Sequence, residues 1–191
     1  MSAVESGTTS AYDISVTTGT LMTADELFQL PDDGWRYELV RGELRKMSPS
    51  GSRHGRVAAQ IIASLLTHVK HHKLGAVFAS ETGYKISRDP DTVRAPDASF
   101  MRAERYVDTA RFFDGPPDVA VEVVSPNDRY TEIEAKTRDW LRAGVQAVVI
   151  VDPEARGARI ERRGGGTPVA DVIAIEDVIP GWTLPLAELF D

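Results

Sequence analysis

Apolar residues recur at helical spacing in two segments of the chain and predict two long helices. The first segment has an apolar residue at every fourth position, namely Val57, Ile61, Leu65 and Val69. It follows a loop of Ser, Pro and Gly over 48–55, and Gly75 is a suitable stop. The second begins with capping-box spacing at Thr131-Glu-Ile-Glu134 and ends at Gly144. The same spacing at Thr23-Ala-Asp-Glu26 predicts a short helix near the start of the chain.

Alternating polar and apolar positions predict hairpins towards both ends of the chain. Residues 35–47 predict a hairpin that turns at Arg41-Gly42. The tail over 156–191 predicts a second hairpin around Gly164-Gly-Gly166. A closing segment follows this hairpin, and its apolar residues are expected to cover the sheet.

Apolar runs in the middle of the chain predict the central strands. Three strands are expected over 76–86, 93–101 and 119–125. A polar turn over 88–91 should make the first two of them antiparallel neighbours. The run Ala147-Val-Val-Ile-Val151 is apolar throughout. Such a run is typical of a strand that is buried on both faces and paired in parallel after a helical crossover.

This order of elements predicts an α/β (α+β) fold with a mixed sheet flanked by helices. Residues 1–20 are rich in Ser, Thr and Gly, and we expect a flexible arm there. Residues 21–191 are expected to form a single domain, because 191 residues suffice for one well-buried core.

The composition excludes several kinds of catalytic chemistry but does not decide whether the protein binds nucleic acid. The chain has no cysteine, which excludes disulfides, thiol catalysis and Cys-ligated metals. No apolar run approaches the ~20 residues that span a bilayer, and the N-terminus lacks the layout of a secretory signal. We therefore expect a cytoplasmic protein without a membrane segment. The net charge of −7 argues against a broad basic surface for nucleic acid but does not exclude a nuclease.

Two carboxylates stand within apolar strand sequences and suggest a metal site. Glu122 lies in Val-Ala-Val-Glu-Val-Val, and Asp97 lies in the preceding predicted strand. A buried charge normally neutralises, finds a partner or holds a metal. Side chains facing each other on neighbouring strands lie ~4.5–5.5 Å apart. Two carboxylates at that distance suit a divalent cation such as Mg²⁺, with Mn²⁺ as an alternative.

Lys136 is the third candidate, because it borders the apolar face of the second long helix. From there its ammonium group could reach the strand ends, orient an attacking water and stabilise charge on a phosphoryl group. The residues alone leave the structural alternatives open. Asp97 could cap a turn, Glu122 could pair with a core arginine, and Lys136 could be a surface lysine.

Six motifs in chain order resemble the Uma2 family (DUF820), a group of predicted endonucleases of the PD-(D/E)XK superfamily. They are Arg36-Tyr-Glu-Leu-Val-Arg-Gly-Glu-Leu44, Ser52-Arg-His-Gly55, Val93-Arg-Ala-Pro-Asp-Ala-Ser-Phe100, Asp118-Val-Ala-Val-Glu-Val-Val-Ser-Pro126, Lys136 with Ala143-Gly-Val145, and Ile150-Val-Asp-Pro153. The resemblance runs from about Met22 to Phe190. It implies a restriction endonuclease-like αβββαβ core and Mg²⁺-dependent cleavage of DNA phosphodiester bonds.

By this resemblance Asp97 matches the first acidic residue of the superfamily and Glu122 the second. The superfamily's lysine two places after the second acid is replaced by Val124. Lys136 on the following helix would then be a displaced lysine. The carbonyl of Val123 is a further candidate metal ligand.

Other polar residues are weaker candidates. Glu38 could hold a second metal ion or a water beside it, or could be an exposed strand carboxylate facing Arg36 or Arg45. Glu81 is a less favoured candidate for the same role. His54 could contact phosphate or relay a proton, although a loop histidine is often only solvated. Basic residues expected at loops and strand ends near the site could follow a nucleic-acid backbone: Arg53, Arg56, Arg102, Arg105 and Arg129.

The sequence thus favours a metal-dependent endonuclease acting on nucleic acid, most simply DNA. A homodimer would pair two such sites. Two other hypotheses stay open: a catalytically silent binding or assembly module on the same fold, and a hydrolase that uses the carboxylate pair as acid and base. His68, His71 and His72 lack the spacing of a zinc motif and are interpreted as helix surface.

Overall fold

The structure is a computed structural model that describes residues 12–13, 21–126 and 128–191. The flexible arm predicted over 1–20 lies outside the described residues, apart from Tyr12–Asp13. Those two residues pair with the strand at Glu43–Met47. The first half of the described chain contains, in order, β1 (Tyr12–Asp13), α1 (Ala24–Phe28), β2 (Arg36–Val40), β3 (Glu43–Met47), α2 (Ser52–His72), β4 (Gly75–Ala79), β5 (Tyr84–Ser87), β6 (Thr92–Arg94) and β7 (Ala98–Arg102).

The second half adds the remaining strands and two helices. In order these are β8 (Phe113–Asp114), β9 (Val119–Val123), α3 (Tyr130–Ala143), β10 (Ala147–Asp152), β11 (Gly157–Arg162), β12 (Gly165–Val169), β13 (Val172–Ala174), β14 (Thr183–Pro185) and α4 (Leu186–Phe190). Both predicted hairpins are present, as β2–β3 and β11–β12.

The central sheet has the strand order β12-β11-β10-β9-β7-β4. β9 and β10 are parallel and joined through α3, whereas β7 runs antiparallel to both β9 and β4. The elements α2, β4, β7, β9, α3 and β10 form the expected αβββαβ core. The prediction that Ala147–Val151 is a central parallel strand is therefore confirmed, and all five of these residues are buried.

A second sheet, of order β1-β3-β2-β6-β5-β8, lies beside the first. Two of the predicted strands are wrong in extent, because each is divided between the two sheets. The stretch 76–86 becomes β4 and β5 around a turn, and 93–101 becomes β6 and β7 around Pro96. Proline cannot donate a ladder hydrogen bond, so it ends one strand and allows the chain to enter the other sheet. Asp97 stands at this crossing.

The two faces of the central sheet carry separate cores. α2 and the C-terminal segment cover one face, where Phe100, Trp182 and Leu189 are almost fully buried. α3 covers the other face and packs Trp140 against Ala120, Val148 and Ile150. Glu122 belongs to this second face by strand alternation, since it lies two residues from Ala120.

Both long helices begin at positions that differ from the sequence prediction. α2 begins at Ser52 within the expected loop, so His54 lies in its first turn. The box predicted at Thr131–Glu134 is shifted: the N-cap is Arg129, whose N–H donates to Glu132 Oε2 at 3.3 Å. Among the described residues, no helix combines the length and apolarity needed to cross a bilayer.

Candidate active site

Asp97 and Glu122 lie close together at the end of the pairing between β7 and β9. β7 and β9 pair with Ser99 opposite Ala120 and Ala98 opposite Val121. The regular pairing ends at this step, and the N–H of Asp97 donates to the carbonyl of Val121 at 3.0 Å. Asp97 therefore lies beside Glu122, and both side chains line the same cavity. The structure therefore brings together the two acids that the sequence singled out.

The carboxylate of Asp97 is fixed through one of its two oxygens. Oδ2 accepts a hydrogen bond from the N–H of Val123 at 2.8 Å and lies 3.2 Å from Nε2 of His54. Burial opposes protonation of His54, but the hydrogen bond to Asp97 and the charge of Asp97 outweigh it and raise the pKa of the imidazole. The His54 side chain is 10% exposed, so it is not the solvated loop residue considered above.

The carboxylate of Glu122 is held at both oxygens. Oε1 accepts from Nε1 of Trp140 at 2.7 Å, and Oε2 lies 2.9 Å from Nζ of Lys136. Burial raises the pKa of the Glu122 carboxyl to about 7. Lys136 favours the ionised form, while the charges of Asp97 and Glu38 add to the rise. Near neutral pH this side chain is therefore poised between its two protonation states.

Lys136 reaches the two strands from α3 and points into the site. Its Nζ donates to the carbonyl of Ala95 at 3.0 Å and lies 3.2 Å from Oε1 of Glu38. With the contact to Glu122, the ammonium group bridges two carboxylates from different sheets. Its side chain is 9% exposed, which is unlike a surface lysine.

Glu38 on β2 lies beneath Lys136 in the site. Its side chain is 2% exposed, so the alternative of an exposed strand carboxylate is wrong. Oε2 accepts from Arg94 at 2.7 Å, and Oε1 accepts from the N–H of Ala95 at 3.0 Å. Burial favours the neutral acid, but Lys136 and Arg94 outweigh it and hold the pKa of Glu38 below its usual value. Both oxygens of Glu38 are thus engaged by protein donors.

The oxygen atoms around Asp97 form a donor set suited to a hard cation. In an antiparallel strand the N–H and C=O of one residue point to the same side. The N–H of Val123 donates to Asp97, so the carbonyl of Val123 also lies on the side of β9 that faces Asp97. Within the described part of the chain, Oδ1 of Asp97 makes no hydrogen bond, and no group of three or more Asp, Glu or His is arranged to hold a metal. Two carboxylates and one carbonyl fit Mg²⁺, which typically keeps several waters.

Apart from Trp140, which lies behind Glu122, the site residues described above line one cavity of about 460 Å³ between the two sheets. Its other walls include the segment 48–51 before α2, the turn between β4 and β5, and Phe112. Glu81 lies in that turn rather than in a strand, and it pairs with Arg36 at 3.5 Å near the solvent.

The basic residues expected near the site are scattered. Arg53 is exposed at the start of α2 and lines an adjoining groove, whereas Arg56 donates to the carbonyl of Asp191 at 2.5 Å. Arg102 is the last residue of β7 and Arg105 follows it, at the end of the strand away from Asp97, so the expectation that they lie near the site is wrong. Their partners there are Asp177 and Asp118.

Three residues of the site were not recognised from the sequence. Trp140 was interpreted only as core, although its indole N–H holds Glu122. Arg94 bridges Glu38 and Asp139, and its position in Val-Arg-Ala-Pro-Asp was the available signal. Asp128 lines the cavity, and its Oδ2 accepts from the N–H of Ser125 at 2.8 Å. Its position after the strand that carries Glu122 could have indicated it.

The fold agrees with the comparisons to known proteins. The Uma2 family, described as "Putative restriction endonuclease", matches residues 24–187, and the chain belongs to this family. A crystal structure from Anabaena variabilis ATCC 29413, described as a putative nuclease belonging to DUF820, superposes with a TM-score of 0.79 at 19% identity. The match covers 88% of this chain and 97% of that one, so the two share a fold. No curated protein matches this chain.

Proposed function

We propose that this protein is a Mg²⁺-dependent endonuclease that hydrolyses phosphodiester bonds of DNA. The observation that carries the proposal is the convergence of Asp97, Glu122 and Lys136 in one cavity, with side-chain exposures of 19%, 11% and 9%. Buried charges of both signs in a pocket are characteristic of sites that stabilise developing charge. Membership of the Uma2 family supports a nuclease, and Mn²⁺ would serve in place of Mg²⁺.

Asp97, Glu122 and the carbonyl of Val123 are the groups that would hold the cation. When bound, Mg²⁺ supplies Lewis-acid polarisation of a phosphoryl oxygen and charge neutralisation. The surrounding residues keep these ligands in place: His54 and the N–H of Val123 restrain Asp97, and Trp140 restrains Glu122. Glu38 acts as a positioning residue, because its side chain is only 2% exposed and it holds both Arg94 and Lys136.

Lys136 would act on the water and on the phosphate. Its ammonium group is held at the inner end of the cavity by Glu38 and by the Ala95 carbonyl. From that position it would orient the attacking water and offset negative charge on the phosphoryl group. The water oxygen forms a bond to phosphorus and the bond to the leaving sugar oxygen breaks. The water loses a proton and the leaving oxygen gains one, which gives a phosphomonoester and an alcohol.

A catalytically silent nucleic-acid-binding module is the second candidate. The observation in its favour is that both oxygens of Glu122 are already bonded within the protein, as in a structural charge network. Calorimetry separates the two functions. The nuclease requires Mg²⁺ binding that Glu122→Gln weakens and that Glu104→Gln, at an exposed carboxylate away from the cavity, leaves intact. A silent module has no such requirement.

The decisive assay is cleavage of plasmid, single-stranded DNA and RNA with Mg²⁺ or Mn²⁺. We expect wild-type protein to cut and Asp97→Ala and Lys136→Ala to lose activity, while Lys70→Ala, an exposed lysine of α2, retains it. Absence of cleavage by the wild type, or equal cleavage by the Asp97 and Lys136 variants, would refute the proposal. Size-exclusion chromatography of the same samples tests the predicted homodimer.

A further inference from the structure

The groups that would act on phosphate lie at the inner end of the cavity rather than on an open face. The side-chain exposures are 2% for Glu38, 9% for Lys136 and 11% for Glu122. The scissile phosphate must therefore enter the cavity, and the nucleotides on either side of it must follow the walls. This depth limits the shape of the substrate.

The size of the cavity excludes a regular duplex from its interior. The space open to the centres of water molecules is about 460 Å³, equivalent to a sphere about 10 Å across. The cavity is therefore about 12 Å wide from wall to wall once the ~1.4 Å radius of water is added on each side. The major groove of B-DNA alone is ~12 Å wide, so the whole duplex is wider than the cavity. A rigid duplex would rest its backbone on the rim, with its phosphates short of Lys136. A nucleotide without a partner strand is narrow enough to enter.

The rest of the lining offers an apolar surface for a base. Phe112 lies against Gly83, where a Cβ atom would be only 2.4 Å from the ring, so that only glycine allows this packing. The ring also contacts Phe28 edge to face, with centroids 5.3 Å apart. Other apolar or aromatic residues of the lining include Tyr37, Met47, Pro49 and Val93. Aromatic faces of this kind stack bases without reading their sequence.

The charge of the protein favours contact with a few phosphates of one nucleic-acid strand. Binding a duplex over many phosphates needs an extended basic surface, but the chain carries a net charge of −7. Arg36 also lines the cavity, and its side chain is 48% exposed. Its pair with Glu81 is exposed and therefore weak, so its guanidinium group can turn to a phosphate.

We infer that the substrate of this site is an unpaired nucleic-acid strand, with its phosphate at Lys136 and a neighbouring base on the Phe112 wall. The inference rests on the proposed function, since it names the substrate class of the same site. Duplexes with a single-stranded tail or gap would be cut in the unpaired part.

The test compares one labelled oligonucleotide as a single strand, in a blunt duplex and in a duplex with a single-stranded tail. Cleavage is measured with Mn²⁺, and binding is measured by fluorescence anisotropy in EDTA. We expect the single strand and the tail to be cut at least about tenfold faster than the duplex. We also expect them to be bound more tightly.

The Phe112 wall is tested by two substitutions of the same residue. Phe112→Leu should weaken single-strand binding about 5- to 150-fold, the range for loss of one stacked base, and should not change duplex binding. Phe112→Tyr keeps the ring face and should restore most of the affinity. Leu66→Ala, on the exposed side of α2, is the control for an apolar change outside the cavity. Thermal melting confirms that each variant is folded.

The outcomes separate this inference from the proposed function. Cleavage of the blunt duplex as fast as the single strand overturns the inference and leaves the nuclease in place. The protein could instead bind single strands preferentially through the Phe112 ring and cleave nothing with any metal ion tested. That result supports the substrate class and overturns the proposal of a nuclease. Equal binding of both forms, or equal affinity of the Leu and Tyr variants, overturns the inference.

Discussion

Trp140→Phe is the substitution that most sharply probes the electrostatics of the site. It keeps an aromatic ring in the core under α3 but removes the indole N–H that donates to Oε1 of Glu122 at 2.7 Å. Trp140 is fully buried and the Glu122 side chain is only 11% exposed, so water cannot easily replace the lost donor. The carboxylate of Glu122 loses stabilisation while its neutral acid loses less.

The size of the effect follows from the energy of a buried hydrogen bond to a charged group. Such a bond contributes about 1.5–3 kcal/mol, equivalent to a further rise of about 1–2 units in the pKa of Glu122. Burial already raises that pKa to about 7. At a pH of about 7.5 the ionised fraction should fall from about three quarters to between about a quarter and a thirtieth. The apparent affinity for a divalent cation should then fall about 3- to 25-fold, because the cation competes with the proton.

Calorimetric titration with Mn²⁺ between about pH 6 and 9.5 measures this shift. The affinity of the variant should approach that of the wild type at the alkaline end, and the pH midpoint of cleavage should move upward by the same amount. Trp182→Phe is the matched control, since it removes an indole N–H that donates to Ser64 at 3.1 Å away from the site. An affinity that is unchanged at every pH, or reduced by one constant factor at every pH, would refute this reasoning.

Three further predictions concern stability. Glu38→Gln should lower the free energy of unfolding by about 3 kcal/mol or more in urea denaturation, because Arg94 and Lys136 both lose the buried carboxylate that they share. The exposed control Glu81→Gln should change little. His54 has a raised pKa in the folded state, so its protonated form stabilises the fold. This contribution to the free energy of unfolding is complete below the unfolded pKa of ~6.5 and is lost as pH rises through the folded pKa. The difference in stability between wild type and His54→Gln should therefore shrink from pH ~6 to ~8.5. Glu122, whose pKa rises from 4.5 to about 7 on folding, should make the cation-free wild type about 3 kcal/mol less stable at pH ~8 than at pH ~4.5 through this group alone, a slope that Glu122→Gln removes.

The parts of this fold that were predictable are those in which local pattern and burial agree. The stripe through Val57 and Leu65 and the apolar run Ala147–Val151 each specify one element, and the core retains both. Asp97 and Glu122 were identifiable because a charge in an apolar strand needs a partner. The break between β6 and β7 was missed because strand propensity alone does not show that Pro96 takes the chain from one sheet to the other.

The remaining site residues depend on contacts between distant parts of the chain. Arg94 and Glu38 are 56 positions apart in sequence, and His54 and Asp97 are 43 apart. No local period records such pairs, so Glu38 could equally have faced solvent. Trp140 fits the apolar period of α3 whether or not its indole N–H has a partner. The hydrogen bond to Glu122 is visible only in the packed structure.

The proposed mechanism depends most directly on where a divalent cation binds. A crystal structure of the wild-type protein in Mn²⁺, with anomalous diffraction data, locates that cation without assuming any activity. We expect one anomalous peak between the carboxylates of Asp97 and Glu122 and near the carbonyl of Val123, and no such peak in crystals of Asp97→Ala. The proposed mechanism is contradicted if a crystal saturated with Mn²⁺ shows no peak between these two acids and Glu122 is still bonded only to Lys136 and Trp140.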